Sequence, residues 1–135
     1  MKHLLILISF LLLSSPVIGD SHKGETLYVW YEGDWVYGED RDYKWMGFGD
    51  KDTHPKYQGQ VKDGKPNGLG ILIYLSGTKY VGSWENGEEL EGTLTSSFGT
   101  KYVGSWKNGR MWNGTNYDRD GRIMEKFVNG KRIRQ

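Results

Sequence analysis

Cysteine is absent from this 135-residue chain. Small exported domains often staple themselves with disulfides, so this one must hold together by packing alone. The same absence removes a thiol nucleophile and any lipid anchor attached at a processed cysteine. Helical periodicity is missing too, since no long stretch spaces apolar residues by three and four. Charge of one sign is not in excess: 18 Lys+Arg stand against 17 Asp+Glu. A balanced chain offers no field for phosphates, so no nucleic-acid partner is expected. Only Lys131-Arg132-Ile133-Arg134 is locally basic, and residues 131–135 read as a solvated tail. Long apolar runs are limited to Leu4–Leu13, interrupted only by Ser9. A spanning helix needs roughly 20 apolar residues, about twice that run.

That short run has a different use. Lys2 and His3 precede it, Ser14-Ser15-Pro16 breaks it, and Val17-Ile18-Gly19 follows. This is the three-part layout of a secretory signal peptide. Residues 1–19 are therefore expected to be removed near Gly19, placing the mature chain in the periplasm or outside the cell. Residues 20–26 are expected to be disordered. Beyond Gly19 aliphatics are sparse, whereas all 6 Trp and all 9 Tyr lie there. Aromatics and glycine suit strands and turns, so the composition predicts an all-β chain.

Self-comparison supplies the organisation, because a fixed period of 20 to 50 residues marks stacked units. Gly77-Thr78-Lys79-Tyr80-Val81-Gly82-Ser83-Trp84 recurs unchanged as Gly99-Thr100-Lys101-Tyr102-Val103-Gly104-Ser105-Trp106, 22 residues on. Asn86-Gly87 maps onto Asn108-Gly109 at the same offset. Tyr57-Gln58-Gly59-Gln60-Val61-Lys62-Asp63-Gly64 is an earlier copy, and Phe127-Val128-Asn129-Gly130 a worn final one. Tyr80, Gly82 and Trp84 alternate with Val81, Ser83 and Glu85, the period of a strand with one apolar face. Asn-Gly, whose residues tolerate positive φ, then predicts a tight hairpin. The chain returns through Gly68–Tyr74 or Gly92–Thr95, and Ser76-Gly77, Phe98-Gly99 and Asp120-Gly121 turn it again. Each repeat is one hairpin. Successive hairpins are expected to pair edge to edge into an elongated, twisted, single-layer antiparallel sheet.

Tyr57-x-Gly59…Gly64…Gly68-x-Gly70…Gly77, followed by Tyr80-x-Gly82-x-Trp84-x-x-Gly87, resembles the MORN (membrane occupation and recognition nexus) repeat. The resemblance covers Tyr57 to about Gly130, as three repeats and a degenerate fourth. It implies a non-catalytic scaffold, with protein partners most often and phospholipid sometimes, and a bacterial origin is expected from leader and repeat together. The second and third repeats depart from the pattern. One residue is missing between Gly87 and Gly92 and between Gly109 and Gly114, which leaves the hairpin register there open. Ahead of the repeats, residues 20–56 read as an aromatic cap that protects the first edge. Its expected strands are Leu27–Tyr31, Trp35–Tyr37 and Tyr43–Phe48.

Catalytic chemistry has few places to reside. Asp50, Asp52 and His54 crowd together and would suit a metal or acid–base work, but they sit in a polar connection ending at Pro55, and a solvated loop is the expected reading. Asn116-Tyr117-Asp118-Arg119-Asp120-Gly121 opens like a calcium loop, yet its twelfth position is Phe127 where a bidentate Glu is needed. Asn113-Gly114-Thr115 is a formal glycosylation sequon on the repeat's own glycine. No Ser lies in a Gly-x-Ser-x-Gly elbow. No enzyme, metal or cofactor is expected. What remains is the aromatic row: Tyr57, Tyr80, Trp84, Tyr102, Trp106 and Trp112. It is expected to form the core of the sheet, with part of it exposed as a binding face for a protein, a glycan or cell wall, or a phospholipid headgroup. Choline- and glycan-binding repeats of about 20 residues usually set Trp and Tyr side by side, whereas Tyr-Val-Gly-Ser-Trp separates them.

Overall fold

The computed structural model describes residues 24–30 and 44–135, and among them there are ten strands and no helix. They are β1 (Glu25–Trp30), β2 (Lys44–Met46), β3 (Lys56–Lys62), β4 (Lys65–Ile73) and β5 (Lys79–Glu85). β6 (Glu88–Thr95), β7 (Lys101–Lys107), β8 (Arg110–Tyr117), β9 (Ile123–Val128) and β10 (Lys131–Arg134) complete the set. One open antiparallel sheet contains them all, in the order β10-β9-β8-β7-β6-β5-β4-β3-β1-β2. From β3 onward every strand pairs with its neighbours in sequence, so the sheet is the hairpin array that the repeat predicts.

Two kinds of turn alternate along it. Asp63-Gly64, Asn86-Gly87, Asn108-Gly109 and Asn129-Gly130 all have positive φ at both positions, with Asn86 at 49° and Gly87 at 84°. That is the mirror-image turn whose twist matches paired strands. At the other end, Gly77, Gly99 and Gly121 carry φ of 86°, 90° and 83°, each donating its N–H to the carbonyl three residues back. Asn86→Ala is expected to cost about 1 kcal/mol, because alanine lacks asparagine's tolerance of this conformation; urea unfolding of the variant checks it.

The core lies on one face. Val29, Tyr57, Leu72 and Tyr80 are fully buried there, with Leu27, Trp84, Tyr102 and Trp106 nearly so. Tyr57 pairs with Leu72, Leu72 with Tyr80, Tyr80 with Leu94, and Leu94 with Tyr102, forming one row across five strands. Beside it runs a glycine row, Gly59–Gly70–Gly82–Gly92–Gly104–Gly114. The tyrosine rings lie over these glycines. A Cβ on Gly70 would meet the Tyr57 hydroxyl at 2.1 Å and its ring at 2.3 Å, and one on Gly114 the Tyr102 hydroxyl at 2.6 Å.

The β3–β4, β5–β6 and β7–β8 hairpins each carry a bulge just beyond the glycine pair, and equivalent side chains complete it each time. The Tyr57 hydroxyl donates to the Gln60 carbonyl (2.7 Å), Tyr80 to Ser83 (2.8 Å) and Tyr102 to Ser105 (2.9 Å). The residue that accepts also bonds across the bulge. Gln60 Oε1 accepts from Leu69 N–H, Ser83 Oγ from Glu91 N–H and Ser105 Oγ from Asn113 N–H. Backbone groups that the bulge takes out of the ladder are thereby satisfied, as a buried sheet face requires. The register left open by the missing residue is explained here. The shift falls between Gly59 and Val61 against Gly70 and Pro66, but between Ser83 and Trp84 against Glu91 and Glu89. Repeats two and three have a return bulge one residue shorter, and the glycine pairing is unchanged.

Several expectations shift at the ends. Glu25 and Thr26 belong to β1 and are ordered by pairing with Gly59 and Gln58, so the disorder expected over residues 20–26 does not extend to them. The strand expected over Tyr43–Phe48 is the shorter β2, paired to β1. Lys131–Arg134, read as a solvated tail, is the edge strand β10, paired with β9 through Lys131↔Val128 to Arg134↔Glu125. Three basic side chains on an open edge discourage pairing with another copy. The signal segment and Trp35–Tyr37 lie outside the described residues.

Candidate interaction surface

Five of the six residues expected to offer a binding face are packed in the core. Tyr57, Tyr80, Trp84, Tyr102 and Trp106 are at most 9% exposed, and only Trp112 keeps intermediate exposure. The reason is visible in the rings, which occupy one another's faces edge-on. Centroids stand 5.3 Å apart for Tyr57–Trp84, 5.0 Å for Tyr80–Trp84, 5.0 Å for Tyr80–Trp106 and 4.7 Å for Tyr102–Trp106. Interplanar angles of 78° to 88° mark the edge-to-face geometry that aromatic quadrupoles favour. Trp45 of β2 begins the ladder against Tyr57 and Trp84, and Phe127 of β9 ends it against Tyr102. Trp112 lies apart, under the Lys107 ammonium (4.7 Å to the ring centroid) and beside Gly130.

Burial pushes the Tyr57, Tyr80 and Tyr102 phenols above their ordinary pKa. Glu89 and Glu91 push Tyr80 further up. A group whose folded pKa is raised contributes stability that is complete below the unfolded value, about 10, and is lost as pH rises past it. The urea midpoint is therefore expected to fall steeply above that pH, and less steeply in Tyr80→Phe; equal slopes would contradict the assignment.

At the C-terminal end the aromatic row turns polar. Glu125 accepts from Asn116 Nδ2 (3.1 Å) and pairs with Arg132. Burial acts to raise its carboxyl. The two hydrogen bonds and the Arg132 and Arg134 charges outweigh burial and hold it below its ordinary value. This polar cluster covers the last turn of the ladder, as a repeat array needs at its end.

The carboxylate–histidine group proves to be a self-bonded turn. Asp50 O accepts from Thr53 and His54 N–H, and its carboxylate accepts from Asp52 N–H (2.8 Å). The His54 ring stacks on Trp30 at 4.1 Å, with Nδ1 facing Asp50 N–H and the Thr53 hydroxyl. Asp52 pairs with exposed Lys51. The side chains are committed to the loop and to Trp30, which accounts for their crowding. No group of three metal-type ligands occurs among the described residues. Asp118 likewise accepts from Asp120 and Arg122 N–H to close its own turn, and Asn113 Oδ1 accepts from Asn129 N–H.

Among the described residues no second layer covers the opposite face. Lys56, Ile73, Lys79, Thr95, Lys101 and Tyr117 follow one another across six strands. Alongside runs Ile71, Val81, Thr93, Val103, Thr115 and Lys126. Their position follows from the alternation of a strand, since each neighbours a core residue in sequence. Ile73 and Val103 are 48% and 45% exposed, and Met124, Val128 and Ile133 are similarly open. Between Lys101, Val103, Tyr117 and Arg119 the surface dips into a shallow groove. The sequence offered one unused signal for this face: a lysine directly precedes the core aromatic in each copy, at Lys56, Lys79, Lys101 and Lys126.

Fold and surface together define a class: a one-layer β-hairpin repeat array with one face filled by its own rings and the other free. Residues 57–79 and 102–112 match the family model of the MORN repeat, which supports the MORN family for this chain. MORN repeats form a generally non-catalytic module, often used in binding. None of the curated proteins matches the chain.

Proposed function

We propose that this chain is a non-catalytic protein-interaction scaffold that acts in the periplasm or outside the cell. One observation carries the reading: among the described residues the sheet fills a single face with aromatics and leaves a regular, partly apolar surface uncovered on the other. Exposed Ile73, Val103, Met124, Val128 and Ile133 on one side of one sheet form the kind of surface that marks a partner site rather than scattered surface apolars. The MORN matches agree with a binding module. Export rests on the leader-like residues 1–19. Glycan binding loses its principal rings, because stacking on a sugar needs an open ring face and the Tyr–Trp ladder is buried; of the six rings only Trp112 stays partly exposed, and Lys107 lies over it.

The test is retention of cell-envelope proteins by the purified protein, run beside peptidoglycan and anionic liposomes. A discrete protein set, displaced by excess untagged chain, is expected. Retention on peptidoglycan or liposomes without any protein would overturn the scaffold reading. Trp106→Ala is unsuitable as a binding probe here, since its ring is part of the core.

A further inference from the structure

We propose that the open face docks an acidic protein surface, through lysines set around a β-branched centre. This deepens the scaffold reading and rests on it. The chain as a whole is nearly neutral, but among the described residues the charges are sorted by face. Lys56, Lys79 and Lys101 fall in one row on β3, β5 and β7, with Ile73 and Thr95 between them. Lys126 joins from the adjacent row, opposite Thr115 and Ile133. Among the described residues none of these four enters an ion pair. Glu91, in the row of Ser83 and Ser105, is the acid in the middle of this face. The other described acidic side chains lie elsewhere: Glu89 and Glu125 on the core face, and Glu25, Asp50, Asp52, Asp63, Glu85, Glu88, Asp118 and Asp120 at turns and strand ends.

The occupant follows from three features. Lysines on every second strand stand about 9.5 Å apart, twice the strand spacing, so a partner must present carboxylates across an extended surface rather than one anionic group. Ile71, Ile73, Val81 and Val103 fill the space between them, the apolar centre and charged rim of a protein interface. Nucleic acid would leave that centre unused. A bilayer is disfavoured because short β-branched side chains lie below the reach of the lysine heads and cannot enter the acyl region while the ammoniums touch headgroups. A second copy of the chain, face to face, would oppose lysine to lysine.

The probe is a fluorescein-labelled Glu–Tyr copolymer, with polyglutamate of equal length, phosphatidylglycerol vesicles and a single-stranded oligonucleotide as competing arms, all against the full chain. The copolymer is expected to bind more tightly than polyglutamate. The Lys79→Glu/Lys101→Glu variant is expected to bind it about tenfold more weakly at an unchanged melting temperature, while Lys51→Glu, in the exposed loop, binds as the parent does. Equal binding by the double variant would overturn the proposal, as would tighter binding of vesicles or oligonucleotide than of copolymer. The two readings fail separately. Envelope proteins retained equally by parent and double variant would leave the scaffold and remove this face; no retained protein at all would remove both.

Discussion

Tyr80→Ala is expected to lower stability by about 4 kcal/mol, the range for truncating a buried aromatic. The ring stands edge-on to Trp84 and Trp106 at once, so its loss cuts the ladder in the middle and opens a cavity between two hairpins. The hydroxyl adds a second effect, because the Ser83 carbonyl it serves lies in a bulge and has left the strand ladder. Tyr80→Phe isolates that part and is expected to cost about 1.5 kcal/mol, the penalty of a covered carbonyl without its donor. Urea denaturation of both variants separates ring from hydroxyl. Equal stability of the Tyr80→Phe variant and the parent would show that water serves the bulge carbonyl as well as the phenol does.

Gly82→Ala is expected to cost about 3 kcal/mol by overpacking, although it adds a single methyl group. A Cβ at Gly82 would lie 2.3 Å from the Glu91 carbonyl oxygen and 2.6 Å from the Gly92 Cα. Both are backbone atoms of β6, so no side-chain rotation relieves the contact and two strands must part. Gly104 faces the Asn113 carbonyl at 2.3 Å and Gly114 at 2.5 Å, and its substitution is expected to behave alike. Gly109 makes the contrast. Nothing lies within 4 Å of its would-be Cβ, and only its φ of 71° opposes alanine. A Gly82→Ala variant with the parent's melting temperature would contradict the close packing of the glycine row.

These two residues also show how far the sequence could be read. Tyr-x-Gly-x-Trp alternation and Asn-Gly told of strands and turns because both are local rules, and the repeated octet told of hairpin stacking. Gly82 was legible as a member of the apolar face, between Tyr80 and Trp84. In the fold its own strand's Tyr80 lies over it, and the ring reaches on to Gly92. The bulges were not legible. They depend on which residues pair across a turn, and the missing residue between Gly87 and Gly92 gave no sign that only the bulge would shorten. The side of the sheet was equally hidden for Val103 and Lys101: alternation puts them opposite Tyr102, but only the register brings Lys56, Lys79 and Lys101 into one row. Expecting exposed aromatics followed from counting too few aliphatics for two faces. The count holds, yet the second face is left mainly to Ile, Val, Thr and Lys, and among the described residues Phe48 and Phe98, outside the ladder, are the phenylalanines that stand exposed.

The one-dimensional build has an energetic side. Neighbouring hairpins are tied at their turns as well as along strands, by Gly87 N–H to the Pro66 carbonyl (2.9 Å) and Gly130 N–H to the Trp112 carbonyl (2.9 Å). Stability then accumulates from interfaces between adjacent repeats, and the shared rings make each interface sensitive to its own Tyr and Gly. Among the described residues it also leaves the opposite face without a second packing layer.

The two-faced sheet is the central claim, and thiol labelling of adjacent residues tests it most directly. The chain has no cysteine, so Leu72→Cys and Ile73→Cys each introduce a unique thiol on β4, at positions fully buried and 48% exposed. Under native conditions the Ile73→Cys thiol is expected to react with a maleimide at the rate of a free thiol, and the Leu72→Cys thiol only as fast as the protein opens. Comparable rates at both positions, or protection at 73 with reaction at 72, would contradict the assignment of core and open faces and everything built on it.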